Sequence, residues 1–277
     1  MDTVSTTAIT LKPRTFAKIC QLVLERWGIS LNSGKETLVR SRIAKRMRML
    51  ELRDVEDYLV YVLEDRTGVE LQRLVDAIST NTTSFYREPD HFNFIRGVVD
   101  QWARDGARLL RIWSTAASTG EEPYTLAIEL SETLESRPVE VRILATDINT
   151  EVLKTARRGV YPGQTVQPVP KELRTRYFTR QGPEDDCVYT VNERLKKMIL
   201  YRQFNLSRSP YPIKPNVDLI MCRNVMIYFG PEMRSKLVSE FERLLRPGGY
   251  LIVGHAESVS SFAKHLKCIK PSIYVRV

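Results

Sequence analysis

The sequence predicts an α/β protein in which a small all-α domain precedes a mainly parallel, doubly wound sheet. Residues 11 to about 77 carry apolar side chains at helical spacing, whereas short apolar runs alternate with helices from Leu109 onward. Between Tyr161 and Phe204 this alternation is interrupted by frequent proline and glycine and by short β-prone runs. The first pattern is typical of a helical bundle, and the second of helices packed on both faces of a parallel sheet. We therefore expect an α/β domain with a small antiparallel subdomain inserted into it.

These patterns predict where the domains of the 277-residue chain begin and end. We expect a helical domain at 1–80, a linker and one helix at 81–107, and the α/β domain at 108–277, with the insertion at 161–204. A chain of this length forms one large or two modest domains.

Four helices are predicted in the N-terminal domain. The first ends at Gly28, and the second extends from about Lys35 to Leu52 with Val39, Ile43, Met47 and Leu50 as its apolar stripe. A third helix at about 55–63 follows Asp54, a favoured N-cap residue, and a fourth covers about 69–77. Short helices joined by polar turns indicate a small bundle.

The α/β domain is predicted from its strands and the helices between them. Pro89 can open the helix that precedes the first strand. The predicted strands are 109–113, 142–146, 217–222 and 250–253, and helices begin near Glu121, Asn149 and Pro231. A last strand at 272–277 is expected to be antiparallel at the end of the sheet. Within the insertion, the β-prone runs are 177–179, 188–191 and 198–201.

A loop of small residues follows the first strand, and the next strand ends in Asp147. Doubly wound domains hold an adenine nucleoside with such a turn and such an acid. However, GxGxxG is absent, and Glu121 and Glu122 at the helix start would repel a pyrophosphate. The pattern therefore favours a ligand with a ribose and a positive charge, and S-adenosylmethionine has both. Alternatively, Asp147 caps the helix at Asn149, and the two glutamates complement the helix dipole.

Polar side chains also follow the strand at 217–222. Arg223 and Asn224 come directly after it, at the edge where open parallel sheets bind ligands. An amide there can hydrogen-bond the amino or carboxylate group of a bound amino acid. Tyr228 comes one helical turn later and either points into the same crevice or packs as an ordinary aromatic residue.

Five blocks of sequence together resemble the CheR family, the chemoreceptor glutamate O-methyltransferases of bacterial chemotaxis. They are STNTTSFYRE at 79–88, AASTGEEPY at 116–124, ATDIN at 145–149, CRNVMIYF at 222–229 and GHAES at 254–258. The resemblance covers nearly the whole chain in the same order. It implies an N-terminal helical domain, a linker, and a Rossmann-like S-adenosylmethionine-dependent methyltransferase domain with an inserted β-subdomain.

The resemblance also implies roles for individual residues. Arg87 and Tyr228 correspond to the family's proposed catalytic pair. The residues implied to bind the cofactor are Asn81, Thr83, Arg87, Glu122, Asp147, Asn205, Leu206, Arg223 and Asn224. The neighbouring Glu121 is an alternative to Glu122. The chain departs from the family where Asn149 replaces the second Asp of Asp-Ile-Asp, and where Ala256 replaces the Ser of His-Ser-Glu.

The implied reaction transfers a methyl group from S-adenosylmethionine to glutamate carboxylates of chemoreceptors, leaving S-adenosylhomocysteine. The implied partner is the receptor's cytoplasmic helical bundle, an acidic surface. Arg42, Lys45 and Arg48 point mostly away from the apolar stripe of their helix, so they could dock on it. The alternative is that these three residues form a solvated face without a partner. The insertion at 161–204 is a candidate site for a receptor's C-terminal tail.

Net charge and motifs help to decide between the other functional classes that the sequence allows. The net charge of +9 favours acidic partners, which include nucleic acid, anionic membranes and acidic proteins. A nucleic-acid methyltransferase is an alternative, but the chain has no Asn-Pro-Pro-Tyr motif. A non-catalytic cofactor-binding regulator is another alternative, and Arg87, Asp147, Asn224 and Tyr228 argue against it. We expect no nucleic-acid partner.

Location and metal content are also predicted. No apolar run approaches the roughly 20 residues that span a bilayer, and residues 1–7 lack the features of a secretion signal. We therefore expect a cytoplasmic protein without membrane insertion. The four cysteines lie far apart without a CxxC pair, and the three histidines, His91, His255 and His265, are too few and too scattered to suggest a metal site. No metal centre is predicted.

Overall fold

The structure, a computed structural model, describes residues 11–31, 33–183 and 186–277, with Ser33 described by its backbone alone. The expectation for residues 1–7 lies outside the described residues. The chain divides into two compact units, Met1–Thr80 and Asn81–Val277.

The first unit is helical. It contains α1 (Pro13–Trp27), a 3-10 turn (Ser33–Lys35), α2 (Glu36–Met49), α3 (Val55–Glu64) and α4 (Val69–Ile78). Gly28 ends α1 in the left-handed conformation, φ 69°, which glycine adopts without steric cost. The carboxylate of Asp54 accepts from the backbone N–H of Glu56 and so caps α3, as predicted. Val39, Ile43 and Met47 of the predicted stripe are buried, which confirms the packed face of α2, whereas Leu50 follows the end of the helix and is half-buried.

The second unit alternates strands and helices. In chain order it contains α5 (Pro89–Arg104), β1 (Leu109–Ser114), α6 (Glu121–Thr133), β2 (Glu140–Asp147), α7 (Thr150–Arg158), β3 (Val160–Pro162), α8 (Gly163–Val166), α9 (Lys171–Tyr177), β4 (Phe178–Gln181), β5 (Val188–Val191), α10 (Glu193–Lys197), β6 (Ile199–Gln203), β7 (Val217–Cys222), a 3-10 turn (Met226–Tyr228), α11 (Pro231–Leu244), β8 (Leu245–Val253), β9 (Leu266–Lys270) and β10 (Ile273–Arg276).

Seven strands form the main sheet in the order β6-β2-β1-β7-β8-β10-β9. The first five are parallel, whereas β10 is antiparallel to β8, as predicted for the last strand. The edge strand β9 was not predicted, because its side chains are mostly exposed and carry no buried stripe. Strand β7 is buried at all six positions and β1 at four of six, as expected for a sheet covered on both faces.

The insertion forms a separate three-stranded antiparallel sheet in the order β3-β5-β4. This confirms a small antiparallel subdomain, but one predicted strand was misplaced. The run 198–201 belongs to β6, which pairs in parallel with β2 through Ile143 and Ile199 in the main sheet. The strands of the small sheet therefore end at Val191, well before the predicted end at 204. The pairing partner of β6 lies more than fifty residues away, and a local sequence pattern does not reveal it.

Among the residues described, no helix combines the length and apolarity needed to cross a membrane.

Candidate active site

The site is built at the carboxyl edge of the parallel strands, where β1 and β7 lie side by side. From β1 the chain moves outward to β2 and β6, and it then returns to the other side of β1 as β7 and β8. Such a switch point opens a crevice between the loops that follow the two central strands. The loop after β1 is fixed here, because Thr115 donates its N–H to the carbonyl of Met221 (2.9 Å) and Ala117 donates to that of Thr146 (2.8 Å).

Asp147 ends β2 with a carboxylate that is oriented by the backbone. One oxygen accepts from the N–H of Ser118 (2.8 Å) and the other from the N–H of Asn149 (2.9 Å), and the residue is 7% exposed. The alternative that Asp147 caps the following helix is wrong. Asn149 is the cap of α7, since its side chain accepts from Glu151 and Val152. Because Asn149 caps the helix, the carboxylate of Asp147 is not needed as a cap, and it lies at the strand end beside the loop after β1.

The segment 81–88 lies against the loop after β1 and against α6. Ser118 donates its hydroxyl to the carbonyl of Asn81 (2.8 Å), and Tyr86 donates its phenol to Glu129 (2.8 Å). This segment carries Asn81, Thr83 and Arg87, which are all half-buried. The guanidinium of Arg87 donates to the carbonyl of Thr82 (2.9 Å). Three of the predicted site residues are therefore held next to the first two strands.

Arg223 lies between carboxylates from two other segments. Its Nη1 donates to Glu122 (2.9 Å) and its Nη2 to Glu88 (3.1 Å), and Nη2 also donates to the carbonyl of Arg87. The side chain is 2% exposed and its guanidinium lies 5.6 Å from the ring centre of Phe92. Within the described part of the chain, the buried Nε of Arg223 has no hydrogen-bond partner. The two charge-assisted contacts fix Arg223 and leave one of its donors unused.

The two carboxylates respond differently to this environment. Burial raises the pKa of Glu122, although the charge of Arg223 and a hydrogen bond from Ser114 (2.7 Å) oppose the shift. Burial also acts to raise the pKa of Glu88, but Arg223 and Asn224 outweigh it, and the pKa of Glu88 is lowered. Glu88 is therefore the more firmly ionised partner of Arg223.

The same neighbourhood distinguishes Glu121 from Glu122. Both carboxylate oxygens of Glu121 accept from the hydroxyl of Thr119 (2.6 and 2.9 Å), and burial raises the pKa of Glu121. Glu122 instead joins Arg223 and Ser114. The geometry thus places Glu122 in the network at the sheet edge and Glu121 in the loop that precedes α6.

Asn224 adopts a left-handed backbone, φ 57°, that is stabilised by Glu257. One oxygen of Glu257 accepts from the N–H of Asn224 (2.8 Å) and of Gly254 (2.8 Å), and the other from Ile227 (3.3 Å). The amide of Asn224 donates to Glu88 (3.3 Å). A Cβ at Gly254 would lie 2.6 Å from that amide and 2.9 Å from Glu257, so the turn after β8 requires glycine.

Glu88 and Glu257 received no role from the sequence, although both lie in blocks that carry the family resemblance. Their block membership was the available signal. What it could not show is that Glu88 joins Arg223 to Asn224 and that Glu257 supports the backbone of the loop after β7.

Tyr228 is half-buried at the end of a 3-10 turn rather than on an α-helix. Asn205 and Leu206 follow β6, whose end lies beside Asp147, since Phe204 donates its N–H to the carbonyl of Asp147 (2.9 Å). Asn205 accepts from the N–H and hydroxyl of Ser207, and Leu206 is buried. These residues border the same edge of the sheet.

Arg42, Lys45 and Arg48 lie on α2 in the helical unit, and all three are exposed. Their neighbour Arg46 is turned inward and pairs with Glu70 (2.7 Å). The three residues that the sequence singled out, here called the basic face of α2, are therefore exposed, as is Arg40 of the same helix.

The charges at the sheet edge fit a ligand with both a positive charge and a carboxylate, as in S-adenosylmethionine. The carboxylates of Glu88, Glu122 and Asp147 supply acceptors for cationic and hydroxyl groups. The unpartnered Nε of Arg223 is a buried donor that would be costly to leave unsatisfied. The residues present therefore suit the cofactor in the chemistry of their donors and acceptors.

Comparison with known proteins agrees with this geometry. The S-adenosylmethionine-binding domain of CheR methyltransferases matches residues 81–275, and the all-alpha domain of CheR methyltransferases matches residues 14–79. A chemotaxis protein methyltransferase of Borreliella burgdorferi is 35% identical, over 93% of this chain and 92% of its own length. Chemotaxis protein methyltransferase 2 of Pseudomonas aeruginosa is 38% identical, over 94% of this chain and 91% of its own length.

A chemotaxis protein methyltransferase of Salmonella typhimurium is 35% identical, over 97% of this chain and 92% of its own length. Both units of the chain are thus matched in order, and the relatives are matched over nearly their whole lengths. The chain therefore belongs to the CheR family of S-adenosylmethionine-dependent methyltransferases.

Proposed function

We propose that this protein methylates glutamate side chains of bacterial chemoreceptors, with S-adenosylmethionine as methyl donor, and so serves sensory adaptation in chemotaxis. The observation that carries the proposal is that all five sequence blocks meet at one sheet edge and are joined there by hydrogen bonds. Ser118 contacts Asn81 and Asp147, and Arg223 contacts Glu88 and Glu122. The fifth block enters through Glu257, which accepts from the backbone of Asn224 (2.8 Å).

The cofactor would lie along the loops after β1, β2 and β7. Asp147 would accept the ribose hydroxyls, and Glu122, Arg223 and Asn224 would bind the amino-acid end. Asn81, Thr83 and Arg87 would bind from the segment before α5, and Asn205 and Leu206 from the loop after β6. This assignment is supported by the position of each residue at the carboxyl edge of the sheet.

The reaction asks little acid–base chemistry of the protein. A glutamate carboxylate is ionised at neutral pH, so no general base is required. The bound cofactor supplies an activated methyl group: the new O–CH3 bond forms as the C–S bond breaks, and its electron pair remains on sulfur. The residues of this chain must hold the substrate oxygen in line and exclude water. We assign that positioning to Arg87 and Tyr228, which would hold or orient the carboxylates near the methyl group.

Methyl transfer to a receptor signalling fragment, with methyl-labelled S-adenosylmethionine, tests the proposal. Mild alkali should release the label as volatile methanol, because carboxyl methyl esters are alkali-labile. Arg87→Ala and Tyr228→Phe should lower the rate, whereas Arg158→Ala on the exposed face of α7 and Tyr61→Phe on α3 should not.

The outcomes separate the alternatives. Cofactor binding without alkali-labile label on the receptor would overturn the proposal in favour of another substrate or a non-catalytic regulator. Salt-sensitive methylation of DNA or RNA would favour a nucleic-acid methyltransferase. Full rates in both Arg87→Ala and Tyr228→Phe would refute the positioning roles alone.

The basic face of α2 is proposed to dock on the receptor's acidic helical bundle. Arg42, Lys45 and Arg48 are exposed, and long cationic side chains there would accelerate association with an acidic surface. Arg42→Glu with Lys45→Glu should raise the KM for the receptor and leave cofactor affinity unchanged. Arg14→Glu with Lys18→Glu, two exposed charge reversals on α1, is the matched control. An equal effect of the control would show that total charge, rather than this face, governs docking.

The inserted subdomain is proposed to bind the receptor's C-terminal tail. It contains a cavity of about 500 Å³ lined by side chains that include Arg174, Arg180 and Tyr189. The two arginines would attract the terminal carboxylate of a peptide. Binding of a fluorescently labelled tail peptide can be followed by its fluorescence polarisation. A peptide with an amidated C-terminus should bind more weakly, and the Arg174→Ala variant should bind the unmodified peptide more weakly. Equal binding of the acid and the amide would refute recognition of the carboxylate in this cavity.

A further inference from the structure

Two histidines that lie far apart in sequence meet beside Glu88. His91 is in the first turn of α5 and is 1% exposed, whereas His255 follows β8 and is exposed. Their ring centres are 4.8 Å apart and the rings are nearly perpendicular, at 76°. The scattered sequence positions predicted no metal centre, but the fold brings these two imidazoles and one carboxylate together.

The hydrogen bonds around His91 determine which ring nitrogen carries the lone pair. Ser272 donates its hydroxyl to the carbonyl of Pro271 (2.5 Å), so it must accept at 2.7 Å from Nε2–H of His91. In the neutral ring, Nδ1 is then the unprotonated nitrogen. Among the described residues, this buried Nδ1 has no hydrogen-bond partner.

The lone pair of Nδ1 faces a second acceptor. Nδ1 of His91 lies 3.4 Å from Oε2 of Glu88. Because Nε2–H of the neutral ring is directed to Ser272, no ring proton lies between Nδ1 and this carboxylate oxygen. Two facing acceptors with no donor between them are the arrangement that a cation stabilises.

We propose that Glu88, His91 and His255 bind a divalent transition-metal ion such as Zn²⁺ or Co²⁺. Their ligand atoms all lie within 4.8 Å of one another. Zinc bonds to imidazole nitrogen and carboxylate oxygen at about 2.0–2.2 Å, which places two tetrahedral ligands roughly 3.4 Å apart. The distance between His91 and Glu88 already has this value. The exposed ring of His255 can complete the ligand set and admits the ion from solvent.

The surrounding charge favours a cation. Two carboxylates, those of Glu88 and Glu122, contact the single guanidinium of Arg223, and a third, that of Glu257, binds the backbone N–H of the next residue, Asn224. Glu88 has an oxygen for each purpose, since Oε1 accepts from Asn224 while Oε2 faces His91. An ion at Oε2 would replace the longer contacts of that oxygen with Arg223 and with the N–H of His255 (3.1 and 3.3 Å). The proposed metal site thus adjoins the cofactor network and shares only Glu88 with it.

Titration of the full chain with Co²⁺, followed by its visible absorption and checked by Zn²⁺ competition, tests the site. One equivalent should bind and should show the spectrum of a tetrahedral nitrogen–oxygen ligand set. His255→Gln should weaken binding about tenfold or more. His265→Gln changes another exposed histidine and should leave binding unchanged.

A second variant protects the test from a folding failure. In His91→Gln the amide nitrogen can still donate to Ser272, while the ligand atom Nδ1 is removed. This variant should fold and should lose the Co²⁺ spectrum. The proposal is overturned if the wild type binds no stoichiometric ion, or if His255→Gln and His265→Gln bind alike. It is also overturned if thiol alkylation abolishes the spectrum, since the ligands would then be cysteines such as the exposed Cys268.

Discussion

Each unit of this protein contains an ion-paired arginine of low exposure, and the two arginines differ in whether a buried nitrogen is left without a partner. In the helical unit, Arg46 places Nε and Nη2 on the two oxygens of Glu70 (3.0 and 2.7 Å). Tyr58 donates to the same carboxylate (3.1 Å). In the methyltransferase unit, Arg223 divides its donors between Glu122 and Glu88 and keeps a buried Nε without a partner among the residues described.

The difference separates a structural ion pair from a ligand site. A bidentate pair closed by a third hydrogen bond fixes one conformation, and among the described residues Arg46 has no buried nitrogen without a partner. A buried donor without a partner costs free energy. Proteins retain such a donor at sites where a bound ligand supplies the missing acceptor. The same residue type therefore stabilises the fold in one unit and prepares a binding site in the other.

The largest effect is expected from Arg223→Met, which tests the arginine that keeps an unpartnered Nε. The change leaves Glu122 and Glu88 buried without their counter-charge, and breaking such a pair costs about 3–5 kcal/mol of unfolding free energy. Affinity for S-adenosylmethionine should fall by roughly a hundredfold, the equivalent of about 3 kcal/mol. Denaturant unfolding and calorimetric titration measure the two quantities.

Arg223→Lys sharpens the result. Lysine restores a charge but not the planar fork, so it should recover part of the stability and little of the affinity. If either variant binds the cofactor as the wild type does, Arg223 is a structural residue and the contrast with Arg46 disappears.

A slightly smaller loss of stability is expected from Arg46→Met. Glu70 is 3% exposed and would lose its main counter-charge, at a cost near the lower end of about 3–5 kcal/mol, since Arg46 is 12% exposed. The variant leaves the charged residues at the sheet edge unchanged. Folded molecules should therefore bind the cofactor with wild-type affinity. Reduced affinity in fully folded Arg46→Met would contradict a purely structural role.

The same contrast explains what the sequence could predict. The position of Asp147, Arg223 and Asn224 at one edge of the sheet could be predicted, because a parallel sheet gathers its carboxyl ends at one edge and each strand is visible as an apolar run. The pairing of β6 with β2, and the meeting of His91 with His255, were not found. Both depend on contacts between distant segments, and no local periodicity encodes those contacts.

A loss of intermediate size is expected from Glu257→Gln. The carboxylate accepts from the N–H groups of Asn224, Gly254 and Ile227, and the amide would place a donor against some of them. Hydrogen bonds to a charged group contribute about 1.5–3 kcal/mol, so we expect a loss of about 2 kcal/mol. Cofactor affinity should also fall, because Asn224 loses its fixed backbone.

Glu232→Gln is the matched control for this prediction. Glu232 pairs with Lys236 on α11 and both are exposed, so the change should not alter stability measurably. If Glu257→Gln behaves as this control does, the loop after β7 is held by other contacts. The proposed cofactor site at the sheet edge would then depend on Arg223 and not on Glu257.

The smallest effect, and the sharpest division, concerns Glu121 and Glu122. Burial raises the pKa of Glu121, so the unfolded chain loses this proton first, near pH 4.3, while the folded carboxyl keeps it. The folded state then binds more protons, and stability falls as pH rises above about 4.3 until the folded carboxyl also ionises. Glu121→Gln removes this loss. Its denaturation midpoint should match the wild type near pH 4 and exceed it slightly at pH 7, with unchanged cofactor affinity.

Glu122→Gln should behave in the opposite way, although burial raises the pKa of Glu122 as well. Its carboxylate is the partner of Arg223, so the amide leaves that guanidinium with a weaker acceptor and the cofactor with one carboxylate fewer. Calorimetric titration at pH 7 should therefore show weaker binding of S-adenosylmethionine to Glu122→Gln, whereas Glu121→Gln should bind it with wild-type affinity. The reverse result would move the cofactor contact one residue back, to the loop glutamate. Arg223 would then resemble Arg46, with a paired carboxylate that stabilises the fold and does not reach the ligand.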